Sequence, residues 1–131
     1  MSEEFKIEII SPEKLVFSDN ITMATIPSYE GDMSVLKKHI SIITFLRPGI
    51  IKIKKNEGIP EEFFVEDGTV EYFNDILIIL SSSAINKKYL TNDFIDKLNK
   101  DTENKLSTKD ISDHERYVFN QKLDVLKEIR V

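Results

Sequence analysis

Ile26-Pro27-Ser28-Tyr29-Glu30-Gly31-Asp32-Met33-Ser34-Val35-Leu36-Lys37-Lys38-His39, followed by Thr44-Phe45-Leu46-Arg47-Pro48-Gly49-Ile50, decides the fold class. Short apolar and β-branched runs alternate here with Pro, Gly, Asp and Ser at turn positions, as expected of a β-sandwich. The pattern extends in both directions. Phe5, Ile7 and Ile9 alternate with Lys6 and Glu8, so the first strand has one buried and one wet face. Ser11-Pro12-Glu13 ends it, since proline offers no N–H to a ladder. Leu15 to Phe17, Ile21 to Ile26, Ile42 to Leu46, Ile50 to Lys54, Glu62 to Glu66, Thr69 to Phe73 and Ile76 to Leu80 are further predicted strands. Asn56-Glu57-Gly58, Asp67-Gly68 and Asn74-Asp75 are predicted hairpin turns, because these residues tolerate positive φ. The segment around Glu30, Gly31 and Asp32 is read as a surface loop.

The periodicity changes after Ser81-Ser82-Ser83: glycine and proline disappear, and apolar residues recur at intervals of three and four. Thr91 or Asn92 caps a first predicted helix with Phe94, Ile95, Leu98 and Thr102 on one side, ending near Leu106. Ser107-Thr108-Lys109-Asp110 is read as the start of a second helix, with an inner stripe of Ile111, Glu115, Val118, Phe119, Lys122, Leu126 and Ile129. A connection this short makes the pair an antiparallel hairpin. Two short amphipathic helices are marginal alone, so the hairpin needs a surface to lean on. The predicted architecture is a β-sandwich domain over residues 1–85 and a two-helix hairpin over 86–131.

Composition narrows the function. The 131 residues carry 18 basic and 23 acidic side chains, a net charge of −5, which argues against nucleic acid as a partner. With no cysteine there is no disulfide framework, thiol nucleophile or Cys-based metal site. The start Met1-Ser2-Glu3-Glu4-Phe5-Lys6 lacks an export or transit pattern. The longest apolar run, Ile76 to Leu80, is far short of the about 20 residues of a membrane-spanning helix, so membrane association is expected only through partners. His39 and His114 stand apart, and Asp110, Asp113, His114 and Glu115 read as a solvated helix start. No G-x-S-x-G elbow surrounds the serine run, and no phosphate-cradling glycine motif occurs. No catalytic, metal or cofactor site is expected.

Several segments together resemble the epsilon subunit of F-type ATP synthases. The opening stretch is similar to P-x-x-E-G-x-x-G-V-L-x-x-H and L-x-P-G; Ser11-Pro12-Glu13 with Val16-Phe17-Ser18 resembles S-P-E followed by V-F-S. Val65 to Tyr72 running into Ile76 to Leu80 resembles the family's S-G-G-x-L-E-V hairpin and next strand, and Leu126 to Val131 resembles L-x-x-L-R-V. Ser34, Lys37, Ser41 and Asp67 depart from the usual glycines and prolines. A serine at a positive-φ site would be strained by roughly 1 kcal/mol, so the backbone at Ser34 is expected to have adjusted.

The resemblance implies a non-catalytic rotor subunit of the central stalk, peripheral on the cytoplasmic side of a bacterial inner membrane. It would bind the gamma subunit and the proton-carrying membrane ring, coupling proton flow to ATP synthesis. It implies ring contacts at Glu30, Gly31, Asp32 and His39, although His39 could equally be a hydrogen-bonded histidine that stabilises its loop. Arg116, Lys122, Lys127 and Arg130 match cations that engage acidic catalytic subunits when the hairpin extends and inhibits hydrolysis; cations near a helix C-terminus also simply compensate the dipole. Some members bind ATP through I/L-D-x-x-R-A. Here Ile95 and Asp96 remain, but Asn99 cannot supply a guanidinium fork, so weak or no ATP binding is expected. The rival reading is a stand-alone ligand-binding β-sandwich with a helical appendage.

Overall fold

The computed structural model describes residues 3–130. Met1, Ser2 and Val131, which belong to the predicted leaderless start and to the L-x-x-L-R-V match, lie outside the described residues. The strands are β1 (Phe5–Ile10), β2 (Leu15–Ile21), β3 (Met23–Ser28), β4 (Gly31–Val35), β5 (Ile42–Leu46), β6 (Gly49–Lys54), β7 (Glu61–Val65), β8 (Gly68–Phe73), β9 (Ile76–Leu80) and β10 (Ile85–Asn86). A 3₁₀ turn (Lys87–Tyr89) leads to α1 (Asn92–Leu106) and α2 (Asp113–Ile129).

Strand order is β10-β7-β6-β3-β5-β8-β9-β1-β2, with β4 added beside β3. β3 joins two layers: Met23–Thr25 pair with β6, whereas Ser28 pairs with Leu46 of β5. The inward residues of both layers, among them Phe5, Ile7, Ile9, Ile51, Ile53, Val70, Tyr72, Leu77 and Ile79, form one core. Alternation in β1 puts Phe5, Ile7 and Ile9 inside, as expected. The Asn74-Asp75 turn has φ of 53° and 62°, and Gly58 and Gly68 have φ of 94° and 147°, the conformations for which these residue types are suited.

Three strand boundaries differ most from expectation. Gly31–Val35 is a strand rather than a loop: Ser28 Oγ donates to the Gly31 carbonyl at 2.7 Å and closes a tight turn at Tyr29–Glu30, after which β4 pairs with β3. Ser34 accordingly sits in extended strand opposite Thr25, and the left-handed residue is Lys38 at φ 66°. The expected run Ile21 to Ile26 is broken at Thr22, whose N–H and hydroxyl both donate to the Lys54 carbonyl. β2 is longer than Leu15 to Phe17 because pairing with β1 carries through the polar Ser18, Asp19 and Asn20.

The helix starts show which capping signals prevail. Thr91 Oγ1 accepts from the Phe94 N–H at 3.1 Å and caps α1. Ser107 and Thr108 instead donate their hydroxyls back to the Asn104 carbonyl and finish α1, and Asp110 adopts φ of 70°. The second helix therefore begins at Ser112, which forms a full capping box with Glu115. These bonds hold the Glu115 carboxyl below its ordinary pKa.

The hairpin leans on the sandwich. Ile95 of α1 and Val125, Leu126 and Ile129 of α2 bury against Phe64, with Ile50 beside them. β7 is thus buried on both faces, Phe63 and Val65 toward the core and Phe64 toward the helices. Phe94 and Glu115, expected on inner faces, are exposed, while Val125 is buried. Burying each such side chain contributes about 1.5–3 kcal/mol, enough to stabilise helices too short to persist alone.

Candidate functional site

At one end of the sandwich, the Tyr29–Glu30 turn projects beside the Arg47-Pro48-Gly49 corner. Glu30 is exposed, and Asp32 is held by Arg47 through an Nη2–Oδ1 contact of 2.8 Å. The Arg47 N–H also donates to the Pro27 carbonyl at 3.0 Å, and Gly49 packs so tightly that a Cβ there would lie 2.5 Å from Pro27 Cβ. Asp32 is thereby presented on a braced corner rather than a free loop. The composition gave no separate signal for Arg47 beyond an opposite charge close by in the same stretch.

His39 lies elsewhere. The extended β4 separates it from Gly31 by roughly 17 Å of strand, and its ring packs edge-on against Tyr72 at 5.8 Å. Tyr72 pairs with Ile42 at one end of β5, whereas the Tyr29 N–H bonds to Phe45 near the other. Glu30, Gly31 and Asp32 are therefore together, and His39 is not with them. His39 Nδ1 bonds the Ile40 carbonyl at 2.7 Å, the stabilising arrangement left open by its sequence. Beside it, the Tyr72 hydroxyl donates to Asp75 at 2.8 Å. Burial, then this bond, pushes the Tyr72 pKa up to about 12, while the Lys38 N–H, then Tyr72, holds Asp75 below its ordinary value.

The outward face of β5, β8 and β9 is largely apolar and uncovered, and β1 continues it with Ile10 beside the charged Lys6 and Glu8. Register aligns Phe45, Thr69, Leu80 and Ile10 in one row and Ile43, Glu71 and Ile78 in the next, with Phe73 beside Ile76. Ile43 is 78% and Phe45 61% exposed, unusual for a contiguous set of large side chains. A groove of about 910 Å³ runs from this face to the first turn of α2, between Phe45, Leu80, Pro12, Tyr29 and His114. Its lining is mostly apolar, with Asp67, His114, Tyr29, Ser81 and Ser82 as its polar members. Tyr29, missed in the sequence, stacks near His114 and Tyr117 with ring centres 5.8 and 6.0 Å away.

Among the helix cations, Arg116 and Lys127 are exposed, Arg130 pairs with Asp96, and Lys122 is buried and paired with Glu66. Ile95 is buried in the helix–sheet cluster, and Asn99 donates to Glu103 at 2.8 Å. Both retained residues of the ATP-type motif are thus engaged within the protein.

Residues 4–87 match the family model of the ATP synthase delta/epsilon chain β-sandwich domain. Over 130 residues the chain is 47% identical to the ATP synthase epsilon chain of Pelagibacter ubique (strain HTCC1062), covering 98% of this chain and 99% of that one. The chain belongs to the ATP synthase epsilon family. It is a non-catalytic member of a multisubunit enzyme. The epsilon chain of Parvibaculum lavamentivorans is 36% identical over 135 residues, 99% of this chain and 98% of the relative. In fold, this epsilon-family chain is similar to a chain in the Euglena gracilis mitochondrial ATP synthase, with TM-score 0.74, 16% identity, and coverage of 95% of this chain and 78% of the other. A chain from the Tetrahymena thermophila mitochondrial ATP synthase central stalk and c-ring gives TM-score 0.69 at 14% identity, over 99% and 98%.

Proposed function

We propose that this epsilon-family chain works by docking. The largely apolar outer face of β5, β8 and β9, bordered by β1, packs against the gamma subunit, while Glu30, Gly31 and Asp32 meet polar loops of the proton-carrying ring. The chain would thus belong to the central stalk, on the cytoplasmic side of a bacterial inner membrane, and transmit rotation without making or breaking bonds. The contiguous exposed face around Phe45 carries this reading, since a free surface of that kind is normally covered by a partner. Arg47 supports the second contact, because a braced Asp32 loses little freedom on binding.

Labour divides near residue 85, with docking in the sandwich and regulation in the hairpin. In its extended position the hairpin would offer Arg116, Lys122, Lys127 and Arg130 to acidic alpha and beta catalytic subunits and restrain hydrolysis. Weak or no ATP binding is expected, since Asp96 pairs with Arg130 and no guanidinium stands at Asn99. Removing the residues after Asn86 tests the regulatory half. ATP hydrolysis by the assembled enzyme is expected to rise several-fold, whereas an unchanged rate would mean that the helices exert no restraint. The stand-alone ligand-binding alternative has the groove in its favour, with Asp67, His114 and Tyr29 in its lining, but Ser81 Oγ is already bonded to the Asp67 carbonyl and to Ser83, and the groove opens onto the exposed sheet face rather than enclosing a ligand.

A further inference from the structure

Lys122 differs from every other cation of α2. It is only 7% exposed, one turn before the buried Val125 and Leu126 on α2, and it forms an ion pair with Glu66, the residue after β7. Glu66 is itself fixed: its N–H donates to Ser83 Oγ at 2.9 Å, and that hydroxyl lies 3.1 Å from Ser81 Oγ, which bonds the Asp67 carbonyl. Among the described residues this is the ion pair that crosses from the helical hairpin to the sandwich. Asp96–Arg130 joins α1 to α2 and would travel with the hairpin, and Lys87–Glu62 lies before α1.

A buried cation with a single carboxylate partner makes a strongly one-sided contact. Removing the partner leaves a charge stranded away from water, whereas replacing both members by apolar groups of similar size costs little or even stabilises. Docking by apolar contact alone would tolerate loss of Glu66. Docking with Lys122 beneath the helix would not.

We propose that Glu66 is the latch of the hairpin: it holds α2 on the sandwich by occupying Lys122, and by the same contact it withholds that cation from any acidic surface of a neighbouring subunit. This deepens, and rests on, the reading of the hairpin as a movable regulatory element. Release then amounts to exchanging one carboxylate partner of Lys122 for another. Glu66, which was not singled out in the sequence, competes with the partner inside the same chain.

The test is amide hydrogen exchange on the full-length chain, comparing α2 with β1 and β9, alongside ATP hydrolysis by the assembled enzyme. Glu66→Gln is expected to speed exchange in the second half of α2 on the order of tenfold or more, with β1 and β9 unchanged. Combining Glu66→Leu with Lys122→Met is expected to return α2 to slow exchange. Unchanged α2 exchange in the Gln variant, equal loosening of β1 and β9, or a double variant as fast as the single one would each overturn the latch. Faster α2 exchange with hydrolysis unaltered would uphold the latch and remove the inhibitory role proposed above.

Discussion

Phe45→Asp is expected to weaken binding of the chain to the gamma subunit by about a hundredfold or more, with the far-ultraviolet dichroism of the free protein unchanged. Phe45 is 61% exposed in the row Phe45, Thr69, Leu80 and Ile10, so the free fold gives up little when it is replaced. In a complex its ring would be covered on the β5 side of that face, next to Thr69. Losing an aromatic anchor there costs about 2–4 kcal/mol, and burying an unpaired carboxylate adds to that. Ile59→Asp is the control. Ile59 is 83% exposed in the β6–β7 connection, away from this face, and its replacement is expected to leave affinity nearly unchanged. Titration calorimetry with purified gamma subunit compares the two; equal losses would mean that binding does not use the β5–β8–β9 surface.

The largest expected effect on stability comes from Gly68→Ala. Gly68 has φ of +147°, and a Cβ there would lie 2.4 Å from the Leu80 carbonyl oxygen and 3.1 Å from both Leu46 Cδ1 and Ser81 Cβ. The carbonyl belongs to the strand paired through Thr69 and Leu80, so relief requires a shift in the β8–β9 ladder. Strain and crowding together are expected to cost about 3 kcal/mol or more, a large share of a typical stability of about 5–15 kcal/mol. Gly31→Ala provides the comparison: φ is +121° but no atom lies within 4 Å, so only backbone strain remains, about 1 kcal/mol. Urea unfolding monitored by dichroism separates them. Similar midpoints for the two variants would contradict the crowding at Gly68.

How much of this could be read beforehand depends on where each element hides its side chains. β1 announces itself because Phe5, Ile7 and Ile9 all point to one core. β4 does not, because it is a short edge strand whose buried side chain is Val35 alone, and its polar remainder resembles a loop. The start of α2 misled because Ser107 and Ser112 both offer hydroxyl caps. Each has a carboxylate three residues on, Asp110 and Glu115, but it is the longer Glu115 that returns the bond to its cap, and Ser107 is committed to closing α1. Val125 falls outside the predicted stripe although it lies three residues after Lys122 and four before Ile129, both buried members of it.

The site was legible in part. The turn at Glu30 to Asp32 is a unit in space as in sequence, but His39, only eight residues from Gly31, is carried away by the extension of β4. Neighbourhood along a chain means little across a strand. Arg47, Tyr29 and Glu66 stayed hidden for the opposite reason. Their importance lies in contacts with residues 15, 85 or 56 positions away, Asp32, His114 and Lys122, which only the folded arrangement brings together. The cations of α2 likewise looked equivalent in sequence, yet burial separates Lys122 from Arg116 and Lys127.

Hydroxyl-radical footprinting of the chain, free and bound to the gamma subunit, reads the covered surface directly. Phe45, Phe73 and Leu80 are expected to lose most of their labelling in the complex, while Ile59 and Tyr89 label as before. Undiminished labelling of Phe45 and Phe73 in a formed complex, or failure of the two proteins to associate, would contradict docking through the outer face of β5, β8, β9 and β1.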